Sequence, residues 1–179
     1  MLPICLDVRG RRAVVFGAGT LGCRRASQLV AEGALVRVIA REVLGDLPAG
    51  VDEVLRRPYR RGDLDGVIVA VAAVGDATVN DAICEEARAT STLLNVVDDP
   101  IRSSVYFPAV HRAGDVTVAV STGGAAPALA SFLRDRIAAT LPADLAHVVS
   151  RLKEERRLLQ ERGIGTQSVD WTSLIAGLL

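Results

Sequence analysis

A doubly wound parallel sheet with helices on both faces is the fold this sequence predicts, and three observations predict it. An apolar strand, Ala13 to Phe16, runs into Gly17-Ala18-Gly19-Thr20-Leu21-Gly22 and then into a helical stretch. A second apolar run, Leu35 to Ala40, follows after about one helix, which completes a strand–helix–strand unit. A third run, Val67 to Ala73, is continuously apolar and rich in valine, as a strand covered on both faces requires.

The remaining elements follow in order. Leu2 to Val8 is a short apolar stretch ending at Arg9-Gly10, expected as an edge strand or lead-in. The first helix spans about Leu21 to Glu32 and stops at Gly33. Leu35 to Ala40 alternates around Arg37. Arg41 to Pro48 reads as a turn or short helix, with Pro48 and Gly50 as breakers. Val54 to Arg57 is expected as a brief strand and Tyr59 to Gly66 as a charged helix or loop. Asp76 is placed to cap a helix whose apolar face is Val79, Ile83 and Ala87, ending near Ala89. Leu93 to Val97 is the next strand, broken by Asp98-Asp99-Pro100. Val105 to Phe107 and Val116 to Val120 are further expected strands, with Ala113-Gly114-Asp115 as a turn between them.

Beyond Val120 the character changes. Ser121-Thr122-Gly123-Gly124 is a small polar turn, and Pro127 sits in the first turn of a helix reaching about Ala139. Leu141-Pro142 breaks that helix. Asp144 is expected to cap a last helix, Leu145 to Arg162, whose apolar stripe is Leu145, Val148, Val149, Leu152 and Leu159. The tail from Gly163 begins as loop and turns apolar around Trp171 and Leu174. The expected division is 1–112 for the nucleotide-type sheet, 113–141 for a strand and helix, and 142–179 for a helical end.

Composition narrows the function classes. At 179 residues the chain suits one compact domain, or one with a small appendage. Lys plus Arg and Asp plus Glu number 21 each, so bulk charge gives no argument for a nucleic-acid or membrane partner. Cys5, Cys23 and Cys84 are isolated, and His111 and His147 lie far apart, which argues against a disulfide framework and a zinc site; no metal ligands are expected. Val67 to Val74 is too short to span a bilayer, and the amino terminus lacks a signal-peptide layout. The expectation is a reduced, cytoplasmic protein.

Three places carry chemistry. Gly17 permits a tight turn, Gly19 lets backbone approach a pyrophosphate, and Gly22 brings the following helix close to the strand, whose free N–H groups attract phosphate. This is the Rossmann-like fingerprint of a dinucleotide site. Two residues beyond the second strand bear on the adenosine half. Glu42 suits the ribose hydroxyls of NAD, whereas Arg41 suits the extra phosphate of NADP, and residue type alone leaves the choice open. The second place is Asp98, an acid at the carboxyl end of a parallel strand, where ligands of such sheets bind; Asp99 beside it can take the same part. The third is Ser121 to Gly124, a glycine turn offering backbone donors to anions.

Together these elements resemble the precorrin-2 dehydrogenase family, including the amino-terminal part of siroheme synthase. The likeness begins at Leu2-Pro3-Ile4 and passes through Gly17-Ala18-Gly19, Asp76-Ala77-Thr78-Val79-Asn80 and Asn95-Val96-Val97-Asp98. It continues through Phe107-Pro108 and Val118 to Gly124, and ends near Pro142. The resemblance implies NAD-dependent oxidation of precorrin-2 to sirohydrochlorin on the route to siroheme. It implies Asp98 as the acid/base group, and Gly17, Gly19, Thr20, Leu21 and Gly22 about the pyrophosphate. It also implies Arg41 and Glu42 at the adenosine half, and a homodimer built on Val116 to Ala139. Some members also insert ferrous iron into sirohydrochlorin, with the same aspartate implicated.

The residue types fit that chemistry independently. Removing two hydrogens from a reduced tetrapyrrole needs a hydride acceptor and a base, and a cleft carboxylate suits the second task. The substrate's carboxylates call for donors, for which Ser121, Thr122, Gly123, Gly124 and the arginines Arg102, Arg112, Arg134 and Arg136 are candidates. Two rival readings remain at this level: a regulatory nucleotide-binding module, and an unrelated dehydrogenase on the same fold.

Overall fold

The computed structural model describes residues 2–165, 167 and 169–178. The chain divides into two units, with the division between Phe107 and Pro108. The first holds a five-stranded sheet: β1 (Arg12–Ala18), β2 (Leu35–Val43), β3 (Glu53–Leu55), β4 (Val67–Ala72) and β5 (Leu93–Val96). Its order is β3-β2-β1-β4-β5 and every pairing is parallel. Helices α1 (Thr20–Ala31) and α2 (Ala77–Thr90) provide the crossovers. Strand order reverses between β1 and β4, which opens a crevice at their carboxyl ends.

The core explains the unbroken apolar strands. Along β1, Ala13 and Val15 join one buried cluster with Cys23, Ala26 and Leu29 of α1. Val14 and Phe16 point the other way, into a cluster with Ile83 and Ala87 of α2 and the fully buried Leu64. Successive strand side chains alternate faces, so a sheet covered twice must be apolar at every position. Asp76 caps α2 as its position predicts, its carboxylate accepting from the N–H of Thr78 at 2.9 Å and of Val79 at 3.3 Å.

Some elements settle an alternative left open by the sequence reading, and others differ from it. Residues 2–8 form the lead-in rather than the alternative edge strand; Leu2, Ile4 and Leu6 are exposed, and only Val8 joins the core. Strand β2 runs on to Val43, so Arg41 and Glu42 belong to a strand end rather than a turn. Of the helix or loop expected over Tyr59 to Gly66, it is the loop that forms. Its turns are pinned by two buried acids, Asp63 accepting from the Arg60 N–H and Glu86 from those of Gly62 and Leu64. Val105 to Phe107 is not a strand. The hydroxyls of Ser104 and Ser103 take the N–H groups of Leu94 and Val96 at 2.8 and 2.9 Å, covering the edge of β5 without a sixth strand.

In the second unit, β6 (Ala109–Ala113) pairs antiparallel with β7 (Val116–Val120) around Gly114, whose φ is +59°. Because β6 starts at Ala109, the division falls before the expected 112/113 boundary. Helix α3 (Pro127–Ala138) packs on this hairpin, and α4 (Leu145–Glu161) touches β7. A short α5 (Trp171–Ala176) follows. Asp144 stands at the α4 N-cap, but its side chain accepts no first-turn N–H. Of the tail from Gly163, residues 166, 168 and 179 lie outside the described residues.

Candidate active site

Gly17 turns the chain out of β1 with φ +94°. A Cβ there would lie 2.3 Å from the Ala73 carbonyl oxygen, and one on Gly22 would lie 2.0 Å from that of Gly17. These two glycines are therefore demanded by the protein's own packing. Gly19 is different. Its φ of −82° suits any residue, and a Cβ there would meet nothing within 4 Å. The space beside it is open.

The amino terminus of α1 follows at once and carries no side-chain cap, in contrast to α2, so its first-turn N–H groups stay available to an anion. Thr20 and Leu21 sit exposed in that first turn. A cleft of about 460 Å³ opens beside the turn, and Gly17, Gly19, Arg41, Glu42, Tyr59 and Asp76 are among its walls. The fold thus brings the glycine turn and the end of β2 to one place, as the spacing predicts. An open Gly19, an uncapped helix and a cleft leading to a strand-end acid fit a dinucleotide.

Sequence reasoning missed Arg57 and Tyr59 in this cleft. The Arg57 guanidinium grips the Asp63 carboxylate through two bonds of 2.8 and 2.6 Å. Burial alone would raise the Asp63 carboxyl, but the Arg57 bonds and the Arg60 N–H outweigh it and hold it below the usual range. Tyr59 stands edge-on to Phe16 with ring centres 5.5 Å apart and donates its hydroxyl to Glu86. Burial and that bond push its phenol well above the usual value. The partners of Tyr59 lie in β1 and α2, far along the chain, so no local pattern announces its place, and Arg57 is tied within its own loop to Asp63 six residues on.

The second turn follows β5. The Val97 N–H donates to the Ala72 oxygen at 2.9 Å, tying this end of β5 to β4, whose continuation at Ala73 and Gly75 lines the cleft. The Asp99 N–H then closes a four-residue turn on the Val96 oxygen at 3.2 Å. Asp98 is the third residue of that turn, with φ +60°, a position usually given to glycine. Its side chain is exposed.

The structure separates the two adjacent acids. The Asp99 carboxylate accepts from the Arg102 N–H at 3.0 Å and from Arg102 Nη1 at 2.6 Å, which holds it below the usual carboxylate range. Asp98 makes no such bond among the described residues. The acid with an uncommitted carboxylate is Asp98.

Ser121 to Gly124 lie in the second unit, between β7 and α3. Gly123 and Gly124 have φ of +65° and +87°. Much of this turn's hydrogen-bonding capacity is spent internally: the Gly123 N–H on the Ser121 hydroxyl, and the Ala125 and Ala126 N–H groups on Thr122. Among the candidate arginines, Arg102 and Arg134 already hold carboxylates, those of Asp81 with Asp99 and of Asp135. Arg112 bonds Thr117, and Arg136 lies over the Phe132 ring. His111 sits within β6 opposite Val118.

This is the architecture of a nicotinamide-nucleotide-binding protein. Residues 4–109 match the family model described as "Putative NAD(P)-binding", and residues 114–140 match the one described as sirohaem biosynthesis protein central. The chain belongs to that NAD(P)-binding family. It is 35% identical over 182 residues to a siroheme synthase of Stutzerimonas stutzeri, covering 98% of this chain and 39% of that one. A siroheme synthase of Pseudomonas entomophila is 39% identical over 165 residues, or 88% of this chain and 36% of the relative. The chain thus spans less than two fifths of the length of these relatives. A solved structure of SirC, a precorrin-2 dehydrogenase, superposes with a TM-score of 0.75 at 24% identity, covering 100% of this chain and 89% of that one; this likeness establishes the fold.

Proposed function

We propose that this chain oxidises precorrin-2 to sirohydrochlorin with NAD, a step in siroheme biosynthesis. The observation that carries the reading is Asp98. It is an exposed acid in a left-handed turn at the carboxyl end of β5, one strand from the glycine cleft. The backbone cost of that conformation is borne where a reacting group is wanted.

A bound nicotinamide nucleotide supplies the hydride acceptor. The chain's own part is to hold and to deprotonate. Gly17, Gly19 and Gly22 shape the turn, and the N–H groups about Thr20 and Leu21 receive the pyrophosphate. Asp98 takes the proton that the substrate loses with its hydride, and exposure lets it pass that proton to water. We further propose that the Ser121–Gly124 turn of the second unit binds a substrate carboxylate, with the Gly124 N–H and the Ser121 and Thr122 hydroxyls among its remaining donors. NAD is preferred over NADP because the cleft wall sets Glu42 and Asp76 beside Arg41 and Arg57, and the Arg57 charge is already met by the buried Asp63, which leaves little for a further phosphate.

We also infer a homodimer. Leu129, Phe132, Leu133 and Ile137 of α3 are exposed, an apolar strip that a second copy would cover. Among the described residues no helix is long and apolar enough to cross a membrane, and the three cysteines are free thiols. That thiol set supports a reducing, cytoplasmic setting.

The deciding experiment supplies precorrin-2 and NAD and follows NADH formation with the product spectrum. Asp98→Asn is expected to slow turnover by about 10²-fold or more while NAD affinity holds. Wild-type turnover in that variant would remove Asp98 from the reaction.

A further inference from the structure

Arg102 is held by two carboxylates from different elements, and their geometry gives it a role that its charge alone does not suggest. Its Nε donates to Asp81 Oδ1 of α2 at 2.7 Å, and its Nη1 donates to Asp99 Oδ2 at 2.6 Å. Its backbone N–H also donates to Asp99 Oδ1. The next residue adds a second clasp: the Ser103 hydroxyl accepts from the Val96 N–H at 2.9 Å and lies 2.8 Å from the Asp99 oxygen, to which it donates. The first and last residues of the turn that holds the left-handed Asp98, Val96 and Asp99, are therefore both fixed by the 102–103 segment.

The other end of the brace leads to the cleft. Asp81 lies in the second turn of α2, whose cap is Asp76 in the cleft wall. Its neighbour Asn80 donates from Nδ2 to the Val74 oxygen, another cleft residue, at 3.2 Å. An unbroken path of bonds thus runs from the Asp98 turn through Arg102 and α2 to the wall of the nucleotide cleft.

We propose that Arg102 is a positioning residue that sets the place of Asp98 relative to the bound nucleotide, rather than a cation that receives a substrate carboxylate. The proposal rests on the reading of Asp98 as the base. Its physical basis is that guanidinium is planar and can serve two carboxylates at once, whereas an ammonium on a shorter reach cannot reproduce the fork. A loosened brace leaves Asp98 present but displaced, and displacement of a reacting group by about 1 Å can cost on the order of 10²-fold in rate.

The test compares Arg102→Gln and Arg102→Lys with the wild type in the precorrin-2 and NAD assay, alone and combined with Asp98→Asn. Both single variants are expected to lose about tenfold to a hundredfold in kcat, with KM for precorrin-2 and Kd for NAD held within about twofold. Asp81→Asn, which keeps the Asp99 clasp, is expected to lose less. In the Asp98→Asn background Arg102→Gln should cost nothing more, because the group it places is gone. A raised KM with kcat preserved would make Arg102 a substrate-binding residue and overturn the proposal, as would full activity or additive losses in the double variant. If Asp98→Asn is itself fully active, the base assignment fails first; if only the Arg102 variants are active, the brace alone fails. NAD affinity held within about twofold and a cooperative unfolding transition guard against misfolding as the cause, a small fall in the thermal midpoint being expected from the lost Asp99 ion pair.

Discussion

Two turns leave the carboxyl edge of the same sheet, and each contains a residue with positive φ. After β1 that residue is Gly17, φ +94°; after β5 it is Asp98, φ +60°. In the first turn glycine answers a packing demand, since a Cβ would run into the Ala73 carbonyl. In the second a side chain is kept where glycine would be easier. The first turn is shaped by the chain's own sterics, and the second gives up backbone comfort to present a carboxylate.

The largest effect expected from this contrast is at Asp98. Asp98→Gly removes the carboxylate while easing the backbone, so activity should fall by about 10²–10⁴-fold. Stability should stay level or rise by up to about 1 kcal/mol. Denaturant titration beside turnover reads both, and a destabilised variant would show that the left-handed turn needs the aspartate for folding. Next comes Gly22→Ala, whose Cβ would sit 2.0 Å from the Gly17 oxygen. A loss of at least about 3 kcal/mol is expected, because backbone on both sides must shift. A near-native unfolding midpoint would contradict the reading that α1 is seated by this glycine.

Gly19→Ala sharpens the comparison within the first turn. The site has open space and an ordinary φ, so stability should move by no more than about 0.5 kcal/mol. NAD affinity, by contrast, should weaken about tenfold, or ~1.4 kcal/mol, by calorimetric titration. Unchanged affinity would place the pyrophosphate elsewhere. The smallest effect belongs to Asp99, whose carboxyl the Arg102 bonds hold below its unfolded value of 3.8. A depressed folded pKa stabilises above the unfolded pKa and is lost as pH falls through the folded one. Asp99→Asn should therefore cost a little stability at pH 7 and nothing at a pH below both values. An equal cost at both would trace the loss to shape rather than charge.

Much of the first unit is legible because its signals are local. The spacing of Gly17, Gly19 and Gly22, the doubly apolar strands, and the Asp76 cap all act within a few residues of themselves. What escaped is long-range. Val105 to Phe107 has the composition of a strand, yet the adjacent serines cap β5 and Pro108 follows, so pairing begins at Ala109. Arg57 and Tyr59 enter the cleft because β3 lies beside β2 and Glu86 of α2 receives the tyrosine hydroxyl. The Ser121 turn is legible as a turn, but the text of the sequence does not say that its hydroxyls would satisfy its own amides.

By itself the sequence determined the parallel sheet, the dinucleotide-type turn and the presence of an acid pair at the end of β5, since apolar period and glycine sterics are written residue by residue. Tertiary structure alone decided which acid of that pair keeps its carboxylate free. Asp99 is claimed by Arg102, and Arg102 is shared with Asp81 on a helix that arrives from another part of the chain. Arg102 lies only a few residues from both acids of the pair, so separation along the sequence leaves the choice open, and the backbone of the Asp98 turn and the pull of Asp81 make it.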